Sequence, residues 1–401
     1  MTVTHEASVS DNQGDAPRRG PLFARYAISA SVQLGALAVA ALAQVRRPAD
    51  ILDPGGLHDS AVRIVHSWNG VVPPSPARLH ALTGSRTWGS DLFQASIYKV
   101  FGNEPTAARI VYALITALVA PSIWWITCRF TPSRRVRMTA FVVAAFWPAL
   151  IFWTILGQKD AYMSGIMCFG AALAISRPRP WSAIFLGVLA LVSSYLRQIS
   201  GFAVVVFLIA LVSAQRPHKH WRSIAVSCLL GVAIAAIGVI PTYLGQDAGE
   251  LTYQRVETHE AKSHRKIVKR TIVSVSEGGS SRLAYLVDPK AVIRGTVGPI
   301  PFVGDDAGEG AYRWLYPNTM VWAPTLALGM LGLWHALRRR KYEALAVLTL
   351  IASYIAFYVI SLEGLGQRQR VVVEPLMIPL AALGVEWLRS TRVLRSRSST
   401  H

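Results

Sequence analysis

Charge is scarce in this sequence. Asp, Glu, Lys and Arg together make up 16% of its 401 residues, against about 25% in an ordinary soluble domain. With 52% hydrophobic residues, the chain is too apolar for a water-soluble globule of this length. Cysteine is nearly absent as well. Cys128, Cys168 and Cys228 fall within or beside apolar runs, which excludes a disulfide framework and a thiolate metal site. No nucleotide-binding glycine motif occurs, so a nucleotide has no recognisable phosphate cradle. No internal repeat is apparent, and acids are the scarcer charge, 22 against 41 Lys and Arg.

What the chain has instead is long apolar runs. They cover 27–45, 106–128, 136–154, 159–176, 181–197, 200–215, 222–244, 318–337, 342–361 and 370–388. Most approach the roughly 20 residues that cross a bilayer core; 200–215 is short enough to form a hairpin with its neighbour. Trp and Tyr cluster near the ends of these runs, as interfacial anchors do. Only helices or closed barrels satisfy their backbone in lipid. The expectation is an all-α polytopic membrane protein with about ten transmembrane helices.

The net charge of +19 could suggest nucleic acid, but its placement argues otherwise. With the N-terminus inside, the inner segments hold Arg18, Arg19 and Arg25; Arg129, Arg134, Arg135 and Arg137; and Arg177 and Arg179. They continue with Arg216, Lys219 and Arg222; Arg338 to Lys341; and Arg389, Arg392, Arg395 and Arg397. Each obeys the positive-inside rule, and shifting the register by one helix would put all of them outside. The topology expected is N-in and C-in, with anionic lipid as a secondary contact and no nucleic-acid partner. Residues 1–26 read as a disordered cytoplasmic tail, 27–388 as the transmembrane domain and 389–401 as a basic cytoplasmic tail. Ala41-Leu-Ala43 looks like a signal-peptidase site, but the run before it is long for a signal and is read as an uncleaved anchor.

Two outer loops are long, 46–105 and 245–317, and loops of such length are usually functional. The first carries Asp53-Pro-Gly-Gly-Leu57-His58-Asp59-Ser-Ala61 and then Trp88 to Gly102, whose spacing reads as an interfacial helix. The second opens with a charged stretch, Arg255 to Arg270, that reads as a solvated face. Lys159-Asp160, Arg197, and Arg368 with Arg370 mark outer helix ends. Charge at membrane depth is costly and tends to be paired or functional, although Lys and Arg at a helix end also snorkel. Glu374, four residues beyond Arg370, reads as its i,i+4 partner. Several cations on one face suit a phosphate or pyrophosphate. A carboxylate there, Asp53 or Asp59, could take a proton from an attacking hydroxyl.

In order and topology these elements resemble the GT-C superfamily of polytopic membrane glycosyltransferases, which includes protein O-mannosyltransferases and aminoarabinose transferases. Asp53 to Ala61 is similar to an Asp-x-x-x-Tyr-His-x-x-Ala pattern, with Leu57 in place of the aromatic. Phe-Gly102 with Ala-Arg109, Phe146-Trp-Pro148 to Trp153 with Lys159-Asp160, and Arg368-Gln-Arg370 through Glu374-Pro375 to Gly384 resemble further motifs. The resemblance implies an acidic catalytic residue in the first outer loop, Asp53 ahead of Asp59, with His58 beside it. It implies a polyprenyl-phosphate-linked sugar donor held by Lys159, Arg197, Arg368 and Arg370, with Asp160 and Glu374 in support. The acceptor would be a cell-envelope glycan, lipid or protein, at the extracytoplasmic face of a bacterial plasma membrane. Some relatives use a divalent metal and others do not, so the resemblance assigns none. An O-antigen-type polymerase or ligase would use the same outer arginines. A transporter or flippase of envelope glycolipid would more often show repeats and midplane charges, which this sequence lacks.

Overall fold

A computed structural model describes residues 19–43, 54–68, 70, 72–83, 88–176, 180–196, 203–204, 207, 226, 229, 316–339, 341–362 and 370–398. Asp53, Arg197, Arg368, most of the runs 200–215 and 222–244, and nearly all of the second long loop lie outside these residues. Within them the chain is helical and contains no strand. Helix α1 is Arg19–Leu42, α2 Pro54–Ser67, α3 Pro76–Thr83 and α4 Gly89–Phe101. Next come α5 Pro105–Thr116, α6 Val119–Phe130, α7 Arg134–Ala145, α8 Pro148–Ile155, α9 Lys159–Ser176 and α10 Pro180–Leu196. The C-terminal part holds α11 Tyr316–Arg338, α12 Tyr342–Leu362, a 3₁₀ turn Glu374–Leu376 and α13 Met377–Ser398.

Prolines explain where apolar runs break. Pro121 cannot donate to the Ala117 carbonyl, so the span Pro105–Phe130 divides into α5 and α6. Pro148 likewise separates α7 from α8 within Arg134–Ile155. Four spans among the described residues are long and apolar enough to cross a membrane: Pro21–Leu42, Pro105–Phe130, Arg134–Ile155 and Tyr316–Arg338. Apolar side chains such as Ile28, Val39, Ile110, Val142 and Met330 are exposed on them, as a lipid-facing surface requires.

Three boundaries differ from the sequence expectation. Residues 19–26, assigned to a disordered tail, are the first turns of α1, where Tyr26 donates to the Leu114 carbonyl at 3.1 Å. The last helix does not start at 370: a turn and the 3₁₀ segment precede Met377, and the helix then runs on to Ser398, into the expected tail. The first outer segment contains α2, α3 and α4. Rather than lying only on the interface, α4 buries Asp91, Gln94, Ala95 and Tyr98 against the protein.

Helix ends gather at two ends of the bundle. At one end Lys341 donates to the Phe130 carbonyl (2.8 Å) and Thr131 to Glu386 (2.6 Å); burial pulls the Lys341 ammonium below its usual pKa. At the other end Asn318 of α11 reaches α8, accepting from the Ala149 amide at 3.3 Å. Helices α11 and α13 make the most extensive pairing. A Cβ on Gly332 would run into the Leu380 carbonyl, and one on Gly384 into the Leu328 carbonyl, so the two backbones touch through glycines. Gly332→Leu is expected to force them apart at about 1–3 kcal/mol or more, read as a lower thermal midpoint in detergent; an unchanged midpoint would mean the helices do not cross here.

Candidate active site

The site is built where α2, α4, α5 and α9 meet. Asp91, Gln94 and Tyr98 are three and four residues apart, so they share one face of α4, and all are buried. Gln94 Nε2 donates to the Tyr98 oxygen at 2.5 Å, and Gln94 Oε1 accepts from the Tyr112 hydroxyl at 3.0 Å. The Tyr98 hydroxyl also lies 2.8 Å from Nδ1 of the half-buried His58 on α2, so a chain of hydrogen bonds runs from Tyr112 through Gln94 and Tyr98 to His58.

The aromatic rings continue it. Tyr112 lies 4.6 Å from Tyr162 of α9, and Phe93 packs on both, at 6.0 and 5.4 Å between centroids. The carboxylates of Asp91 and Asp160 are within electrostatic reach of the Tyr162 hydroxyl, and Asp91 also acts on Tyr112. Asp160 is fully buried, while Lys159 beside it is partly exposed. The turn before them sets this placement. Gly157 has φ +70°, and Gly157 and Gln158 donate back to the Thr154 and Trp153 carbonyls at 2.9 and 3.0 Å. This is a glycine stop that ends α8 and lets α9 begin at Lys159. Asp160 then sits in the first turn of α9, where the helix dipole favours a negative charge.

A second polar cluster forms at the same end of the bundle. Glu374 is fully buried and accepts from Arg370 Nε at 2.5 Å, Trp147 Nε1 at 3.1 Å and Asn318 Nδ2 at 3.1 Å. The Arg370 guanidinium lies 5.3 Å from the Trp322 ring centroid, and Trp322 meets Trp147 edge-on at 6.4 Å.

The expected i,i+4 pairing of Arg370 with Glu374 is present. Arg370, expected at the donor phosphate, has a fully buried side chain paired with Glu374. The hydrogen-bonded chain joins His58 to Tyr112 and stops short of Asp160, whose carboxylate bears on Tyr162 electrostatically; Asp59 is exposed on α2. Asp53, Arg197 and Arg368 fall outside the described residues. Among the described residues no group of three or more His, Cys, Asp or Glu side chains could hold a metal ion, so they do not by themselves fit a divalent cation. Sequence reading missed Asp91, Gln94, Tyr98, Tyr112, Tyr162, Trp147 and Asn318. The 3-and-4 spacing of Asp91, Gln94 and Tyr98 was the available signal, since polar groups at core spacing need partners.

Tyr98→Phe is expected to leave the Gln94 amide and His58 Nδ1 without a shared partner, lowering stability by about 1–3 kcal/mol. Thermal unfolding in detergent checks this, and a wild-type midpoint would show that the chain of hydrogen bonds does not form.

No protein-family model matches this chain, and no curated protein sequence matches it. Among solved structures the fold is similar to the crystal structure of ArnT from Cupriavidus metallidurans bound to undecaprenyl phosphate. The TM-score is 0.52 at 16% identity, over 92% of this chain and 61% of that one. The chain thus spans about three-fifths of the length of that protein. The likeness is one of fold: among the described residues this chain is all-helical, with four spans long and apolar enough to cross a membrane.

Proposed function

We propose that the protein transfers a sugar from a polyprenyl-phosphate-linked donor to a cell-envelope acceptor, at the outer face of a bacterial plasma membrane. The reading is supported above all by one convergence. Helix ends that the charge pattern assigns to the outside meet in a buried acid–tyrosine–histidine site, in a fold similar to a protein crystallised with undecaprenyl phosphate.

In this reaction the acceptor hydroxyl attacks the anomeric carbon, the bond from that carbon to the phosphate oxygen breaks, and polyprenyl phosphate leaves. Asp53, directly before α2 in sequence, takes the hydroxyl proton as general base. His58 offers an imidazole nitrogen to the substrate, and Asp59 is exposed on the same helix. Lys159, Arg197 and Arg368 neutralise the donor phosphate. Arg370 and Glu374 hold the surrounding helix ends from behind, and Asp160 fixes the start of α9 next to Lys159. No step is routed through a metal.

The test is mass spectrometry of envelope glycans and lipid-linked sugars in a deletion strain, with the purified protein assayed in liposomes. Loss of one sugar from the envelope, build-up of its lipid-linked donor and transfer in vitro are expected. Build-up of complete unpolymerised repeat units would replace this reading with a polymerase or ligase. Vesicle uptake without a covalent product would replace it with transport.

A further inference from the structure

At the end of the bundle opposite the polar site, three arginines from two helices share one place. Arg25 of α1 lies flat over Trp124 of α6, with its guanidinium carbon 3.7 Å from the ring centroid. It donates to the Pro21 carbonyl at 2.7 Å and touches the Met138 sulfur of α7 at 3.9 Å. Arg137 of α7 reaches Cys128 of α6 at 3.6 Å and the Pro132 carbonyl at 3.0 Å. Trp124 and Cys128 are four residues apart, so Arg25 and Arg137 sit one turn apart on the same face of α6. Arg134 precedes Arg137 by three residues on α7, and the charges of both bear on Arg25.

Among the described residues no carboxylate acts on Arg25. Two acids at this end lie elsewhere: Glu386 is engaged by Thr131 and faces Lys341 and His335, and Glu343 also faces Lys341. The Nε atoms of Arg25 and Arg137 are buried without a hydrogen-bond partner among the described residues. Gathered cations without an acid repel one another, and the α7 N-terminus adds its positive dipole end to them. An anion would relieve all of this at once. Its source is indicated by the surroundings. Arg25 lies near the end of the apolar span Pro21–Leu42, and Phe23, Met138 and Val142 are exposed on α1 and α7 beside it. Phosphates at this level of a bilayer belong to lipid, and acyl chains would cover the flanking apolar side chains.

We infer that Arg25, stacked on Trp124, forms with Arg134 and Arg137 a binding site for the phosphodiester headgroup of an anionic phospholipid. The site is independent of the sugar-transfer reading and would stand if that reading failed.

Native mass spectrometry of the full-length protein with phosphatidylglycerol, phosphatidylethanolamine and inorganic phosphate tests it. Phosphatidylglycerol should be retained over phosphatidylethanolamine. Its affinity should fall about fivefold in R134Q and on the order of a hundredfold in R25Q/R134Q/R137Q. The control R338Q/R339Q, which removes basic charge at the same end on α11, should bind as the wild type does. R134Q alters an exposed side chain, so it reports on the site even if the triple variant fails to fold. Undiminished binding by R134Q, equal loss in the control, or displacement of the lipid by inorganic phosphate at matching concentration would each overturn the assignment.

Discussion

Glu374→Ala is expected to destabilise the protein by about 3–5 kcal/mol, because it leaves Arg370 charged and fully buried. The loss is larger than that of an ordinary ion pair for a structural reason. Glu374 also receives the Trp147 and Asn318 donors, so one substitution orphans three buried groups from three helical segments. The measurement is the thermal midpoint and monodispersity of the protein in detergent. Replacing both partners, as in R370M/E374L, removes the uncompensated charge and should recover much of the loss, since an apolar pair of similar size avoids the desolvation cost. A single variant as stable as the wild type would mean that Arg370 finds its neutralising charge elsewhere.

Asp53→Asn carries the largest expected effect on activity. An amide of the same shape cannot accept the acceptor's proton, and removal of a general base typically costs about 10²–10⁴-fold in rate. The reading predicts failure of Asp53→Asn to restore the envelope glycan in a deletion strain at normal expression, with turnover in liposomes reduced by that factor. Asp59→Asn should stay within about tenfold, its carboxylate being on the exposed side of α2. Full restoration by Asp53→Asn would remove it from the base role, and a collapse in Asp59→Asn alone would transfer that role to Asp59.

Much of the architecture was legible in the sequence because lipid imposes a single rule, helical runs of spanning length. The runs 159–176, 318–337 and 342–361 recur as α9, α11 and α12 to within two residues. What the rule does not carry is local backbone chemistry. Pro121 and Pro148 divide spans that hydropathy reads as continuous, and the Glu374–Leu376 turn delays the last helix beyond its apolar start. The site was legible only where residues carried charge. His58, Lys159, Asp160 and the Arg370–Glu374 pair stood out, whereas Gln94 and three tyrosines did not. Their partners lie on other helices, as with Tyr112 and Gln94, 18 residues apart. Arg370 shows the other limit: its pairing with Glu374 is legible from the i,i+4 spacing, but only the fold reveals that Trp322 lies against it and that its side chain is fully buried.

The glycine contact between α11 and α13 bears on how a substrate could enter. Helix α11 is fastened twice, by Asn318 to Glu374 in the 3₁₀ turn that leads into α13 and by Gly332 to Gly384 of α13 itself. The fastenings are about 20 Å apart along α11. Two helices pinned at two separated levels can neither splay nor slide past each other, so they move as one strut. Any widening of the bundle falls more readily at other seams, such as that of α10 with α4, where Gly89 lies against the Tyr195 backbone and Trp88 beside the Tyr195 ring. A long prenyl chain entering from the bilayer would therefore pass beside the strut and not through it.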